Sequence, residues 1–199
     1  KMPQVLAPLD FEMAQIVHQE LNRNGVKLVL NDGLLKFTDN GRKIHLDSGK
    51  VIETDLIIFA IGVSPESGLA KSAGLLVGPR GHIVTSPKFE TFDAQTQTIA
   101  DGIYAIGDAI SVKDFVTQTD TAIALAWPAN RQGRLVADII NGKDVAYKGS
   151  LGTSVLKVFD LTVAATGNNQ RQLEMKKLPH QALHAHRGNH ASYYPGAEN

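Results

Sequence analysis

One stretch of the sequence, residues 99–109, constrains the fold more than any other. Asp101-Gly102 is typical of a turn, and the apolar run at residues 103–106 predicts a short buried strand that ends at Gly107. In open α/β sheets, ligands bind at the carboxyl ends of such strands. A glycine there lets a ligand approach the backbone, and the carboxylate of Asp108 can accept hydrogen bonds from hydroxyl groups. The stretch therefore predicts an α/β fold with a ligand site at Gly107 and Asp108.

A helical pattern begins about twenty residues later, near Ala126. Pro128 suits the first turn of a helix, because a missing N–H is harmless at that position. Apolar residues then recur on one face until Asn141-Gly142 ends the pattern: Ala129, Leu135, Val136, Ile139 and Ile140. We predict that the start of this helix points toward Asp108.

The first sixty residues predict a helix, a meander and a buried strand. Asp10 is placed to cap a helix that ends at Gly25. Three strand-like runs with turn and hairpin signals between and after them follow: residues 27–31, Leu34–Thr38 and residues 43–47. Residues 56–61 are apolar on both faces, which predicts a central parallel strand that ends at Gly62.

The region after residue 148 contains two strand-like runs and a predicted short helix. Residues 155–159 and Leu161–Ala165 are β-branched or apolar runs, and residues 170–177 are typical of a short helix. Four histidines follow: His180, His184, His186 and His190. Imidazoles can bind zinc, but no cysteine accompanies them and Pro and Gly flank the segment. We therefore interpret them as surface or interface residues and predict no metal site.

Composition excludes several classes of function. The 20 basic and 20 acidic residues balance and are scattered, so the chain has no basic patch for nucleic acid or an anionic membrane. No apolar run is long enough to span a bilayer. The chain has no cysteine, which agrees with a cytoplasmic protein and means that any thiol chemistry must come from elsewhere.

Two segments together resemble a known family. Tyr104-Ala-Ile-Gly-Asp-Ala109 and Ala126-Trp-Pro-Ala-Asn-Arg-Gln-Gly133 resemble the second flavin-binding segment of the FAD-dependent pyridine nucleotide-disulfide oxidoreductases. The branch that contains coenzyme A-disulfide reductases and NADH oxidases is the most similar. The resemblance implies FAD and NAD(P)H as cofactors. It also implies hydride transfer from NAD(P)H through FAD to a thiol or disulfide centre that handles a small disulfide, a peroxide or oxygen.

The resemblance also implies roles for particular residues. Asp108 would accept a hydrogen bond from a ribityl hydroxyl, and the helix start would direct its positive end at the flavin pyrimidine carbonyl. Trp127 stands where this branch would have a glycine. The cofactor-binding residues implied in this way are Gly62, Gly107, Asp108, Ala109, Ala126, Trp127, Pro128 and Ala129.

The resemblance divides the chain into three partial domains. Residues 1–62 would be the C-terminal half of an NAD(P)-binding domain, and residues 63–148 the C-terminal part of a Rossmann-like FAD-binding domain. Residues 149–199 would begin an α+β dimer-interface domain. The Gly-x-Gly-x-x-Gly turn for the dinucleotide pyrophosphate would lie before Lys1. We expect an internal segment of a longer, cytoplasmic homodimer with no nucleic-acid or membrane partner.

Tyr193-Tyr-Pro-Gly196 resembles an interface segment in which a tyrosine approaches the active site of the partner subunit. Tyr193 and Tyr194 are thus candidate catalytic residues, and a β-turn with two packing tyrosines is the alternative. Two other function classes stay open: a cysteine-free flavoprotein electron-transfer reductase, and a non-catalytic packing or binding module. The residues of this chain do not decide between NADH and NADPH, or which electron acceptor is used.

Overall fold

The computed structural model describes residues 1–188 and 190–196. Two compact units can be separated, Lys1–Gly167 and the part of the chain from Asn168 onward. The fold is mixed α/β, in agreement with the prediction at that level. The named strands pair antiparallel in one three-stranded and three two-stranded sheets. Within the described residues, parallel pairing is limited to isolated bridges, Ile83–Ile110 and Asp114–Ser150.

The predicted N-terminal helix forms as α1 (Phe11–Arg23). Its Asp10 N-cap has an extended backbone, but its side chain makes no hydrogen bond that caps the described helix, contrary to the prediction. Gly25 has φ +78°, and the Val26 N–H donates to the carbonyl oxygen of Leu21 at 3.0 Å. This is the hydrogen bond of a Schellman motif, which explains why the helix ends there.

A meander forms, but from only two of the three predicted runs. Its strands are β1 (Leu34–Thr38), β2 (Lys43–Leu46) and β3 (Val51–Glu53), paired in that order, and β3 was not predicted as a strand. Both connections contain residues with positive φ, at Asn40-Gly41 and at Gly49, as their turn signals predicted.

Two predicted strands are wrong. Residues 27–31 and 56–61 have no strand assignment, and Leu56, Ile58 and Ile61 are 75%, 83% and 84% exposed. A central parallel strand needs hydrogen-bonded neighbours on both sides. Within the described residues, no strand pairs with either run. Residues 56–61 therefore have the apolar composition of a buried strand, but they are mostly exposed in the structure.

The strand before the candidate ligand site is longer and more exposed than predicted. The hairpin of β4 (Glu90–Phe92) and β5 (Ile99–Tyr104) includes Asp101-Gly102, which was predicted to be a turn. The register shifts here, and Gly102 has φ +72°, so the pair forms a bulge inside β5 rather than a turn before it. β5 is not buried, because its sheet has only two strands.

A repeated turn was missed at the sequence level. Residues 93–98 and residues 114–119 share the pattern Asp-x-x-Thr-Gln-Thr. In both turns the aspartate Oδ1 accepts two backbone N–H bonds, and the glutamine has positive φ. The first turn joins β4 to β5, and the second joins β6 (Val112–Lys113) to β7 (Asp120–Thr121). The same hydrogen-bonded turn thus closes both hairpins.

The core of the first unit lies between these hairpins and helix α3 (Ala126–Ile140), which was predicted. Phe89 and Ile110 are almost completely buried in it, together with Val112, Ile83 and Ala70, the last from helix α2 (Gly68–Ser72). Helix α3 contributes Leu135, Val136 and Ile139. Ile140 was predicted on the same face but is mostly exposed, because it lies at the last residue of the helix.

The two strand-like runs after residue 148 form β8 (Ser154–Val158) and β9 (Leu161–Ala165), and these strands pair as a hairpin at the end of the first unit. The second unit begins with α4 (Gln170–Met175), which ends two residues earlier than predicted. Asn169 and Gln172 form a reciprocal capping box with two hydrogen bonds of 2.9 Å. Among the described residues, the helices are all too short or too polar to cross a bilayer.

Candidate functional site

Gly107–Ala109 forms a single 3₁₀ turn after β5. Gly107 has φ +80°, a conformation that costs a residue with a Cβ about 1–2 kcal/mol. The Ala109 carbonyl accepts the Ile83 N–H at 2.9 Å, and the next residue, Ile110, is buried in the core. Asp108 is exposed. The turn is thus anchored behind Asp108 and presents this carboxylate to solvent.

The start of α3 has open backbone donors. Leu125 is its N-cap, and no side chain among the described residues caps the helix there. Ala126 and Trp127 are exposed, and Trp127 is 73% exposed. Pro128 is buried and has no N–H to satisfy. The first turn of a helix carries about half a positive charge, so this end favours a negatively charged or carbonyl oxygen.

The turn and the helix are in direct contact. The Gly107 N–H donates a hydrogen bond of 2.7 Å to Oε1 of Gln132, whose side chain is 2% exposed. A Cβ on Gly107 would lie 3.9 Å from the Cβ of Ala129, and one on Gly133 would lie 3.7 Å from Cδ1 of Ile106. The structure therefore brings together the two segments that the sequence predicted to meet.

Gln132 is a site residue that the sequence analysis missed. It lies four residues after Pro128 and three after Ala129, which places all three on one face of α3. A polar side chain on a helix face predicted to meet a strand end needs a hydrogen-bond partner if it is buried. That signal was present in the quoted Ala126 to Gly133 segment.

The remaining predicted site residues are Gly62, Tyr193 and Tyr194. Gly62 follows the exposed run 56–61 and has φ +107°, with no heavy atom of the described residues within 4 Å of an added Cβ beyond its chain neighbours. Tyr193 and Tyr194 belong to the second unit and are exposed, with ring centroids 4.9 Å apart. The roles of these three residues stay predictions.

The histidine segment also belongs to the second unit. The ring centroids of His190 and Tyr194 are 5.8 Å apart, His184 and His186 are exposed, and His180 is half-buried. In residues 1–188 and 190–196, no group of His, Asp or Glu side chains is arranged to hold a metal ion.

A cavity of about 530 Å³ lies over the core and is lined by Phe89, Ile110 and His82, among others, but not by Gly107 or Asp108. Burial, with a smaller contribution from the Arg80 charge, lowers the pKa of His82, so this imidazole is neutral at pH 7. A smaller cavity of about 240 Å³ borders Trp127 and Pro128 at the start of α3. Neither of these two cavities is lined by the Gly107 turn.

Residues 1–133 match the family described as pyridine nucleotide-disulphide oxidoreductase. The chain belongs to this family. The match includes both the Gly107 turn and the first half of α3, so it contains the whole contact described above. The family predicted from Tyr104 to Ala109 and Ala126 to Gly133 is thereby confirmed.

Named relatives support the predicted branch. A coenzyme A disulfide reductase of Staphylococcus aureus (strain JH9) is 33% identical over 94% of the chain, which spans 41% of that relative's length. The reduced Bacillus anthracis CoADR-RHD is 54% identical, with a TM-score of 0.91 over 98% of this chain and 34% of the other.

Two further oxidoreductases have similar structures. An NAD-dependent persulfide reductase from A. fulgidus is 30% identical, with a TM-score of 0.90, over 99% of this chain and 36% of its own. A water-forming NADH oxidase from Lactobacillus brevis, bound to NADH, is 26% identical, with a TM-score of 0.85, over 98% and 42%. The chain therefore spans less than half the length of each of these proteins.

The residues at the contact fit FAD. Gly107 has no side chain to obstruct a ligand, and the exposed Asp108 carboxylate can accept a hydrogen bond from a ribityl hydroxyl. Ala126 and Trp127 are exposed, and their backbone amides can donate to a flavin carbonyl oxygen. The turn thus offers an acceptor for hydroxyl groups, and the start of the helix that it contacts offers donors for a carbonyl group.

Two glycine substitutions should have opposite effects. Gly107→Ala should lower the free energy of unfolding by about 1–2 kcal/mol, because alanine is strained at φ +80°. Gly133→Ala should raise it by about 0.5–1 kcal/mol, since Gly133 lies inside α3, where alanine is the better helix former and the added Cβ makes an ordinary contact. Urea denaturation measures both. Equal changes in the two variants would contradict the described geometry of the turn.

Proposed function

We propose that this chain is part of an FAD-dependent NAD(P)H oxidoreductase of the coenzyme A-disulfide reductase or NADH oxidase type. One observation carries the proposal: the Gly107 turn, with its exposed Asp108, is packed against α3, whose start is uncapped, within the family match. The names of the relatives agree with it, since they include a disulfide reductase, a persulfide reductase and an NADH oxidase.

In this proposal the chain binds and orients the flavin. Asp108 accepts a hydrogen bond from the ribityl chain, and Gly107 allows close approach. The first turn of α3 directs its positive end at the pyrimidine carbonyl and favours negative charge there by about 1 kcal/mol. Ala109, Ala126 and Ala129 are small enough to let backbone atoms reach the cofactor. Trp127, at 73% exposed, is a candidate to cover the ring.

FAD, when bound, supplies the hydride-accepting chemistry that no side chain provides. The chain has no cysteine and no Gly-x-Gly-x-x-Gly turn. A thiol or disulfide centre and the pyrophosphate sites for FAD and NAD(P)H must therefore come from other polypeptide segments. Coenzyme A disulfide, a peroxide and oxygen are the candidate acceptors that we carry forward, with cytoplasmic location and homodimerisation as further parts of the proposal.

The domain assignment remains part of this proposal. Residues 1–62 would belong to the NAD(P)-binding domain, with Gly62 near the dinucleotide, and residues 63–148 to the FAD-binding domain. Residues 149–199 would begin the dimer interface. The exposure of both Tyr193 and Tyr194 agrees with a role at a site shared with a partner subunit.

Asp108→Ala should weaken FAD retention in the complete gene product. The substitution leaves a ribityl hydroxyl without a charged acceptor, at a cost of about 1.5–3 kcal/mol. This corresponds to a rise in the dissociation constant of roughly 10- to 150-fold. Titration of the apoprotein with FAD measures it.

Asp101→Ala is the matched control for this prediction, because Asp101 is an exposed aspartate in the bulge of β5. It should leave the affinity for FAD unchanged. If the Asp108→Ala protein keeps stoichiometric FAD after extensive dialysis with wild-type affinity, the role proposed for Asp108 is wrong.

The 199-residue chain alone should not sustain NAD(P)H oxidation, whereas the complete gene product should. It lacks a thiol centre and both glycine-rich pyrophosphate turns, so its partial sites have fewer contacts with which to offset the ordering cost of binding. The assay follows the nicotinamide absorbance with FAD and NADH added, and free FAD without protein is the control. Steady consumption by the pure chain above that control would rule out a thiol-dependent mechanism.

A further inference from the structure

Gln132 occupies an unusual position for a helix glutamine. Its side chain is 2% exposed, and its Oε1 accepts the Gly107 N–H at 2.7 Å. The two residues are 25 positions apart in sequence, so the bond joins separate elements. Burial of a long polar side chain is unfavourable unless its polar atoms are paired, and here the pairing is with the turn.

The Gly107 N–H needs this acceptor for a local reason. Gly107 is the first residue of the 3₁₀ turn, and the first N–H groups of any helical turn have no partner inside it. Its φ of +80° also turns the backbone away from the extended path of Ile106. The Gln132 side chain replaces the missing partner and holds this conformation against α3.

The other contacts between the turn and α3 are van der Waals contacts at positions where the side chain is small or absent. Ala129 approaches the Cβ position of Gly107 to 3.9 Å, and Ile106 approaches that of Gly133 to 3.7 Å. These contacts allow the turn to lie close to the helix, but van der Waals contacts of this kind have little directionality. The hydrogen bond to Gln132 is the directional contact among them.

We infer that Gln132 is a positioning residue that sets the distance between Asp108 and the start of α3, and thereby the fit and the reduction potential of the flavin. The inference rests on the proposed function, since it takes FAD as the ligand of this face. Gln132 acts through Gly107 and the helix, and no contact of its own with the cofactor is required.

The consequences differ from those of a purely structural residue. If the turn moves relative to α3, Asp108 and the helix amides no longer match the spacing of the ribityl and pyrimidine groups. Binding then weakens. The positive helix end also stabilises the reduced, negatively charged cofactor less well, so the reduction potential of the bound flavin should become more negative.

The test compares four forms of the complete gene product: wild type, Gln132→Met, Gln132→Glu and Arg134→Met. Methionine has a similar length but removes the acceptor, whereas glutamate keeps an acceptor oxygen at the same distance. Arg134→Met is the matched control, because Arg134 is an exposed residue of the same helix. The readouts are the FAD dissociation constant and the midpoint potential of the bound flavin.

Gln132→Met should weaken FAD binding about tenfold and lower the potential, since one net hydrogen bond is lost at a geometry-setting position. Gln132→Glu should recover most of the affinity, although its carboxylate can lower the potential directly, and Arg134→Met should match wild type. Wild-type affinity and potential in Gln132→Met would overturn the inference. So would equal losses in Gln132→Met and Arg134→Met, or a failure of Gln132→Glu to recover the affinity.

One further measurement and one comparison of variants separate a failure of this inference from a failure of the proposed function. If Gln132→Met does not fold, hydrogen exchange of the Gly107 amide in the wild type decides: protection supports the bond to Gln132, and exchange as fast as in an exposed loop overturns it. If Asp108→Ala weakens FAD binding while Gln132→Met does not, the inference fails and the proposed function stands. If the wild type binds no FAD, both fail.

Discussion

One apolar core holds both parts of the candidate site in place. Ile110 follows the Gly107 turn directly and is 1% exposed, and α3 contributes Leu135, Val136 and Ile139 to the same cluster around Phe89. Burying one such side chain contributes about 1.5–3 kcal/mol. Exposed ion pairs such as Lys88–Asp144, although only 2.8 Å apart, contribute little because water screens them. The position of the turn against the helix therefore depends on burial in the core.

Elements that depend on local patterns could be predicted from the sequence. α1, β1, β2, α3 and the runs that form β8 and β9 follow from periodicity, composition and turn signals within short windows. The strands predicted at residues 27–31 and 56–61 were wrong because a strand also needs a partner, and pairing is not visible in a local window. Gly102 was assigned to a turn because Asp-Gly is typical of turns. A glycine with positive φ is equally suited to a β-bulge, and the local sequence does not distinguish the two.

For the candidate site, the sequence predicted which segments meet but not how they are joined. The Gly107 turn and α3 were expected to approach, and they do, through contacts of Gly107 with Ala129 and Gln132. The direction of the helix start toward Asp108 stays a prediction. Gln132 was missed although it lies on the helix face that was predicted to meet the strand end, because that position does not reveal its partner, a backbone N–H 25 residues away. The Asp-x-x-Thr-Gln-Thr pattern occurs twice in the sequence. That it forms a turn became clear only from the hydrogen bonds of the folded hairpins.

The central claim is that the Gly107 turn and the start of α3 hold the flavin from one side. A crystal structure of the complete gene product with FAD bound tests it most directly. The account predicts an Asp108 carboxylate oxygen about 2.5–3.0 Å from a ribityl hydroxyl, with the backbone amides at Ala126 and Trp127 facing the pyrimidine carbonyl. A flavin bound with Asp108 still in solvent and α3 directed elsewhere would contradict it.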